Sequence, residues 1–339
     1  MIKKTAHIII MTVLNGIEID AIEYNMNVTK QAILNNEPID DVLHVVAVVS
    51  NPALFATRYV LAKQFLYRLM QESSVLVYVV ELAYENQSFY VTDAKNPKHL
   101  QIRTDTPLWH KENMINVGIK KLLPENWKAV AWIDTDIEFE SSTWALDTLK
   151  VLNGYKDIVQ VFSHCIDMDK DESVMQIFNS FGYQYDKQQG YSKNKLNFWH
   201  PGYGWAITKK AYDRIGGLYE YAILGSGDNI ISLAAIGRGL KGVNDDSTEE
   251  YKQTIRLYEE KMKMLRLGYV PGVIRHHYHG KKKNRMYNER WRILVDHLYN
   301  PIEHITYDSN GILIPTKTCP PEIIVKIKDY FYARNEDES

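Results

Sequence analysis

Two aspartates with one residue between them, Asp134-Thr135-Asp136, follow directly on the apolar run Ala129-Val130-Ala131-Trp132-Ile133. Carboxylates spaced this way at a strand end can offer oxygens to one hard cation. Mg²⁺ and Mn²⁺ accept oxygen ligands from protein and diphosphate alike. An ion held there would withdraw charge from a departing diphosphate, a Lewis-acid role. The same pair also arises in turns and helix caps, where Asp bonds nearby backbone amides. The setting favours the ligand-binding reading, because open α/β sheets collect ligands at the carboxyl ends of their strands.

A second cluster is Gly225-Ser226-Gly227-Asp228-Asn229. Its glycines permit backbone conformations closed to other residues and leave room for a ligand. Asp228 could take a proton from an attacking hydroxyl. It could equally cap a helix, since the apolar run Ile230-Ile231-Ser232-Leu233 follows; a cap at a site can also be a base. The third cluster is His276-His277-Tyr278-His279-Gly280, continuing into Lys281-Lys282-Lys283-Asn284-Arg285. A histidine of this cluster could complete a metal shell begun by the carboxylates. The basic run from Lys281 could hold a diphosphate. The alternatives are ordinary polar surface for the histidines and a solvated face or nucleic-acid patch for the lysines.

These residues need a frame, and the first half of the chain has one. Leu43-His44-Val45-Val46-Ala47-Val48-Val49 is a near-continuous apolar run, as expected of a strand covered on both faces. A turn at Ser50-Asn51-Pro52 leads to a helix pattern with Leu61, Phe65 and Leu69 on one stripe. Val75-Leu76-Val77-Tyr78-Val79-Val80 then completes a βαβ unit. A helix over 111–123 precedes the third buried strand, 129–133, which ends at Asp134. Ser141 or Ser142 is expected to cap the next helix, with Trp144, Leu146 and Leu149, and 158–162 reads as a fourth strand. Residues 167–197 are polar with weak periodicity and read as a long excursion on the acceptor side. Regular patterns return at 199–208, in a helix over 209–215 and in an amphipathic helix over 248–267. The acidic stretch 335–339 is expected to fray.

Composition excludes several classes. With 40 basic and 42 acidic residues the net charge is -2, so no global field draws nucleic acid or a membrane surface. The 45% hydrophobic and 24% charged content is that of an ordinary globular chain. Two cysteines, Cys165 and Cys319, form no framework, so a reducing, cytoplasmic location is expected (host cytoplasm for a viral source). The apolar run 7–14 is too short to span a bilayer and reads as a strand; no transmembrane segment is expected.

The three clusters, in this order, resemble the GT-A superfamily of glycosyltransferases, from about Val45 to about Arg292. Trp109-His110-Lys111-Glu112-Asn113 with Asn116, then 132–137, look like a family of GT-A transferases in bacteria and large DNA viruses, as do Pro201-Gly202-Tyr203-Gly204-Trp205-Ala206 and Gly216-Gly217-Leu218-Tyr219. The later part is similar to the β-1,4-galactosyltransferase family, with its Gly-Gly-Glu-Asp-Asp segment and a distal histidine near Ile-Arg-His. Here the acidic segment reads Gly227-Asp228-Asn229, and two histidines stand where the family has one. The resemblance implies an α/β fold of GT-A type, a mixed central sheet with helices on both faces. It implies an N-terminal extension over 1–40, a nucleotide-sugar half over 41–165, an acceptor and catalytic half over 166–300, and a C-terminal extension over 301–339. Asp136 would be the main metal ligand, with Asp134 contacting ribose, or the metal through water, and His276 or His279 as distal ligand for Mn²⁺ or Mg²⁺. Val49, Ser50, Asn51 and Arg58 would line the nucleotide, with Glu81 near the base or ribose and Lys111 and Asn116 close by. Tyr203, Gly204, Trp205 and Gly227 would frame sugar or acceptor, and Asp228 would be the base of an inverting transfer.

The expected reaction moves a sugar from a UDP- or GDP-sugar to a glycan or other hydroxyl acceptor. A nucleotidyltransferase could also hold metal on strand-end carboxylates, but it would attack the α-phosphorus and release pyrophosphate. A silent sugar- or nucleotide-binding protein would keep the Asp134/Asp136 site and tolerate loss of Asp228. A nucleic-acid role rests on 281–285 alone.

Overall fold

The computed structural model describes residues 12–22, 26–36, 40–192 and 198–338. In chain order its strands are β1 (Thr12–Leu14), β2 (Ile17–Ile19), β3 (Leu43–Ser50), β4 (Val75–Tyr84), β5 (His99–Thr104), β6 (Ala129–Ile133), β7 (Ile137–Phe139), β8 (Ile158–Gln160), β9 (His164–Met168) and β10 (Val174–Asn179). There follow β11 (Gly204–Thr208), β12 (Leu267–Tyr269), β13 (Val273–His276), β14 (Ile305–Tyr307) and β15 (Leu313–Pro315). Seven form one mixed sheet in the order β12-β8-β11-β6-β3-β4-β5. β3 pairs parallel with both β4 and β6, while β11 runs antiparallel between β6 and β8.

The apolar runs become central strands because both sheet faces are covered. Along β3 and β4, Val46, Tyr78 and Val80 face one core, while Leu43, Val45, Ala47, Val75, Val77 and Val79 face the other. The first core takes the helices Lys111–Leu122, Gly227–Ala235, Glu249–Met262 and Pro321–Ala333. The second takes Ala56–Leu69 and Trp144–Leu152. An alternating strand thus becomes a continuous hydrophobic run when neither face meets water. No helix among the described residues is long and apolar enough to cross a membrane.

A second, four-stranded sheet has the order β10-β9-β13-β7. It replaces much of the expected irregular excursion: β9, the β10 hairpin and a helix at Phe181–Asp186 occupy 164–186. Val174, Met175 and Ile177 of β10 are exposed, so neither face leaves a buried-versus-exposed alternation to read. Sequence reading also passed over β5, a half-exposed edge strand. The helix from Trp144 starts after Thr143, which bonds Asp147 with its hydroxyl, whereas Ser141 accepts the Thr143 amide. The strand read at 7–14 lies outside the described residues except for Thr12–Leu14, which is β1. The last of the excursion, 193–197, also lies outside them.

The stretch expected to fray is, through residue 338, built into the fold. Asp337 accepts the amides of Thr57 (2.8 Å) and Ala56 (2.9 Å), capping the helix Ala56–Leu69, whose own N-cap residue Phe55 offers no side-chain bond. Replacing a capping carboxylate costs about 1 kcal/mol. Asp337→Ala should therefore lower unfolding stability by about that amount in urea denaturation, with an unchanged m-value.

Candidate functional site

The antiparallel pairing of β7 with β13 sets His276 opposite Ile137, beside Asp136. The His277 amide donates to the Asp136 carbonyl at 2.8 Å and locks the register. Strand β9 pairs parallel with β13 and sets Asp167 opposite His276. Three sequence-distant groups are thereby fixed by backbone hydrogen bonds.

Asp136, His276 and His279 converge. Asp136 Oδ2 lies 3.0 Å from His279 Nε2 and 3.8 Å from His276 Nε2, and the two Nε2 atoms are 3.3 Å apart. An ion about 2.1 Å from each ligand would set ligand separations of roughly 3.0–3.4 Å, so the spacing fits a divalent cation with modest adjustment. Asp136 Oδ1 is buried without a hydrogen-bond partner, which a cation would supply. His276 Nδ1 lies 2.7 Å from Asp167 Oδ1, the arrangement that keeps a proton on Nδ1 and turns the Nε2 lone pair toward a metal. Burial opposes ionisation of Asp136, but His279 and His276 outweigh it and hold the carboxyl far below the usual carboxylate range. The group does not include Asp134, and it takes both histidines rather than one. Asp134 pairs instead with Lys111. Burial raises the Asp134 carboxyl and Lys111 opposes that rise.

The triad opens onto a cavity of about 1020 Å³. Of the residues singled out from sequence, Val49, Ser50, Arg58, Lys111, Asp134, Asp136, Tyr203, Asp228, His276 and His279 line it. The others do not. Asn51 closes its own turn through the Phe55 amide and carbonyl. Glu81 accepts the amides of Tyr90 (2.7 Å) and Thr92 (2.8 Å) and the Thr92 hydroxyl, and so organises the loop before β5. Asn116 is spent on Leu218 and Tyr212. Gly204 and Trp205 sit in β11, with the indole N–H on the Pro201 carbonyl at 2.7 Å. Lys281 turns outward to Glu338; Lys282 and Arg285 reach the cavity in its stead.

Asp228 lines the same cavity from the first turn of the helix Gly227–Ala235. The chain reaches that helix through left-handed backbone at Gly225 (φ +90°) and Ser226 (φ +76°), the latter fastened by Arg290 Nη2 at 2.6 Å. Asp228 Oδ1 accepts the Asn229 amide at 2.8 Å. A Cβ on Gly202 would lie 3.1 Å from Asp228 Oδ2, so glycine there leaves that oxygen clear. A Cβ on Gly227 would lie 2.4 Å from the Glu112 carboxyl carbon; this glycine gives space to Glu112 rather than to a ligand. Tyr203 also has left-handed backbone (φ +79°), rare for a non-glycine residue. Its ring stacks on His200 (centroids 4.4 Å, 12°) and meets His276 at 4.6 Å. Burial pulls His200 down to about 3, so it stands neutral behind the triad.

Sequence reasoning missed Asp167, His200, Arg334 and Glu336, all at or behind the cavity wall, while Arg285 belongs to the basic run it had singled out. Arg334 lies over the Trp109 ring at 5.2 Å, and Glu336 binds Arg58 through two hydrogen bonds. A basic or acidic residue next to no motif carries no local signal of such pairings.

No family model matches the chain, and no curated protein matches it. Among solved structures it is similar to the catalytic domain of Drosophila β1,4-galactosyltransferase 7 in complex with xylobiose, at 9% identity and a TM-score of 0.36, covering 85% of this chain and 99% of that one.

Burial pushes Glu112 up to about 8; Lys111 opposes the rise and Asp228 adds to it. Between its ordinary 4.5 and about 8, the unfolded chain releases this proton while the folded chain keeps it, so stability falls as pH rises through that window. Glu112→Gln should flatten the fall, measured as urea midpoints from pH 5 to 8; an unchanged slope would refute the assignment.

Proposed function

We propose that the chain is a metal-dependent glycosyltransferase of GT-A type, transferring a sugar from a nucleoside-diphosphate sugar to a hydroxyl acceptor with inversion. The observation that carries this reading is the convergence of Asp136, His276 and His279 at the carboxyl end of β6, in the same cavity that Asp228 enters. A bound divalent ion supplies positive charge to the oxygens of a leaving diphosphate. Two imidazoles beside one carboxylate favour Mn²⁺ over Mg²⁺, which prefers all-oxygen shells.

The chain's own groups divide the remaining work. Val49 and Ser50, at the end of β3, lie where open α/β sheets receive nucleotides. Lys111 is held charged: burial disfavours the ammonium, and Asp134, Asp228 and Glu112 more than offset it. It and Asp134 would meet the ribose and phosphates. Asp228 would accept the proton of the acceptor hydroxyl as that oxygen attacks the sugar from the face opposite the leaving group. Tyr191, Phe198, Tyr287 and Trp291 line the cavity, and such rings suit the apolar faces of a glycan acceptor. Residues 41–165 then form the donor half and 166–300 the acceptor half.

A panel of nucleotide sugars, assayed with Mn²⁺, Mg²⁺ or EDTA for nucleoside diphosphate and glycosylated product, tests the proposal. Product with inverted anomeric configuration and Mn²⁺ dependence is expected. Pyrophosphate release would point to nucleotidyl transfer. Binding with no turnover across the panel would point to a silent sugar-binding protein. Asp136→Ala should abolish metal-dependent donor binding. Asp228→Asn should leave donor affinity intact and lower kcat about 10²- to 10⁴-fold, the usual span for a general base. Equal loss of donor binding in both variants would contradict these roles.

A further inference from the structure

Glu336 is 3% exposed, and it reaches the cavity from a segment far from the triad in sequence. Its Oε1 accepts Arg58 Nη2 at 2.5 Å and Arg334 Nε at 2.7 Å. Its Oε2 accepts Arg58 Nε at 2.9 Å and lies 3.7 Å from His279 Nδ1. Arg58 and Glu336 are 278 positions apart. The backbone is cleared for this approach: a Cβ on Gly280, next to His279, would lie 3.0 Å from the Asn335 carbonyl and from Glu336 Cα.

Arg285 Nη2 lies 2.6 Å from His279 Nε2. Nε2 also faces Asp136 Oδ2, so a cation taking the Nε2 lone pair would displace Arg285 from it. With Nε2 given to a cation, the neutral ring would carry its proton on Nδ1, on the side of Glu336. His276 has the same plan, with Asp167 behind Nδ1 and Nε2 turned toward Asp136. Each imidazole of the triad therefore has a buried carboxylate at its back.

We propose that Glu336 is a positioning residue of the Asp136–His276–His279 centre, orienting His279 and tying Arg58 to it, so that divalent-cation affinity depends on the segment after the helix Pro321–Ala333. This rests on reading the triad as a cation site. Loss of such a supporting carboxylate lowers metal affinity about 10- to 100-fold.

The test is calorimetric titration with MnCl₂ of wild type, Glu336→Gln, Asp337→Asn and Asp136→Ala. Thermal melts and ¹⁵N shifts of the His279 ring nitrogens are recorded on the metal-free proteins. Glu336→Gln is expected to weaken Mn²⁺ binding about 10- to 100-fold and to move the His279 shifts toward a mixed tautomer. Asp337→Asn, which touches only the helix cap, should lower the melting temperature and leave the Mn²⁺ affinity within about twofold. If Glu336→Gln binds Mn²⁺ as wild type does while Asp136→Ala does not, the role of Glu336 is overturned and the cation site stands. If Asp136→Ala binds Mn²⁺ normally, the cation-site reading fails and this inference falls with it. Should Glu336→Gln prove unfolded, Glu336→Asp keeps Arg58 and Arg334 charge-paired and withdraws the carboxylate from His279. It must then show the same loss, and wild-type affinity would overturn the proposal.

Discussion

A half-buried carboxylate with one buried oxygen left unpartnered is the constraint around which this site is arranged. Leaving charge in a low-dielectric site is costly unless hydrogen bonds or an opposite charge offset it. Around the end of β6 most acids are answered: Asp134 by Lys111, Asp167 by His276 and Lys282, Glu336 by Arg58 and Arg334. Asp136 is left with two imidazoles on one oxygen and nothing on the other. That imbalance separates Asp136 from Asp134, although both stand at the same strand end.

The frame that maintains this arrangement is stiff. Asp136 is locked through its carbonyl to His277, and Asp134 through its amide to the Tyr203 carbonyl at 2.7 Å. Tyr203 holds a left-handed backbone against a stack of His200 and Phe178 rings. Strain of this kind persists only where packing over-determines it. It puts the tyrosine ring against His276, so the second sheet, the triad and the aromatic wall behave as one packed unit. Asp228 is presented by a helix start that needs glycine at 225 for backbone freedom and at 227 for the bulk of Glu112. The candidate cation ligands and the candidate base are thus carried by elements packed on different cores.

Much of the central sheet was legible in the sequence. Leu43–Ser50 and Ala129–Ile133 announce themselves because strands covered on both faces must be apolar at nearly every position. The helix Lys111–Leu122 was also expected from sequence, although it is buried on every side from 112 to 119. The position of Asp134-Thr135-Asp136 followed from the strand before it. The β9–β10 hairpin was hidden because an exposed strand has no such pattern, and β5 because an edge strand is only half covered.

Local sequence by itself determined the strand-end carboxylates, the glycine-flanked Asp228 and the histidine pair, since backbone conformation and residue chemistry are set within a few positions. Tertiary structure alone decided how they are used. It gave Asp136 both histidines and gave Asp134 to Lys111. It withdrew Glu81 and Asn116 into loop-holding roles, and it brought Asp167 and Glu336 behind the imidazoles. The longest of these pairings join Asp167 to His276, 109 positions apart, and Arg58 to Glu336, 278 apart. Such contacts are selected by the energy of burying charge in the folded state, which leaves no trace in the spacing of neighbouring residues.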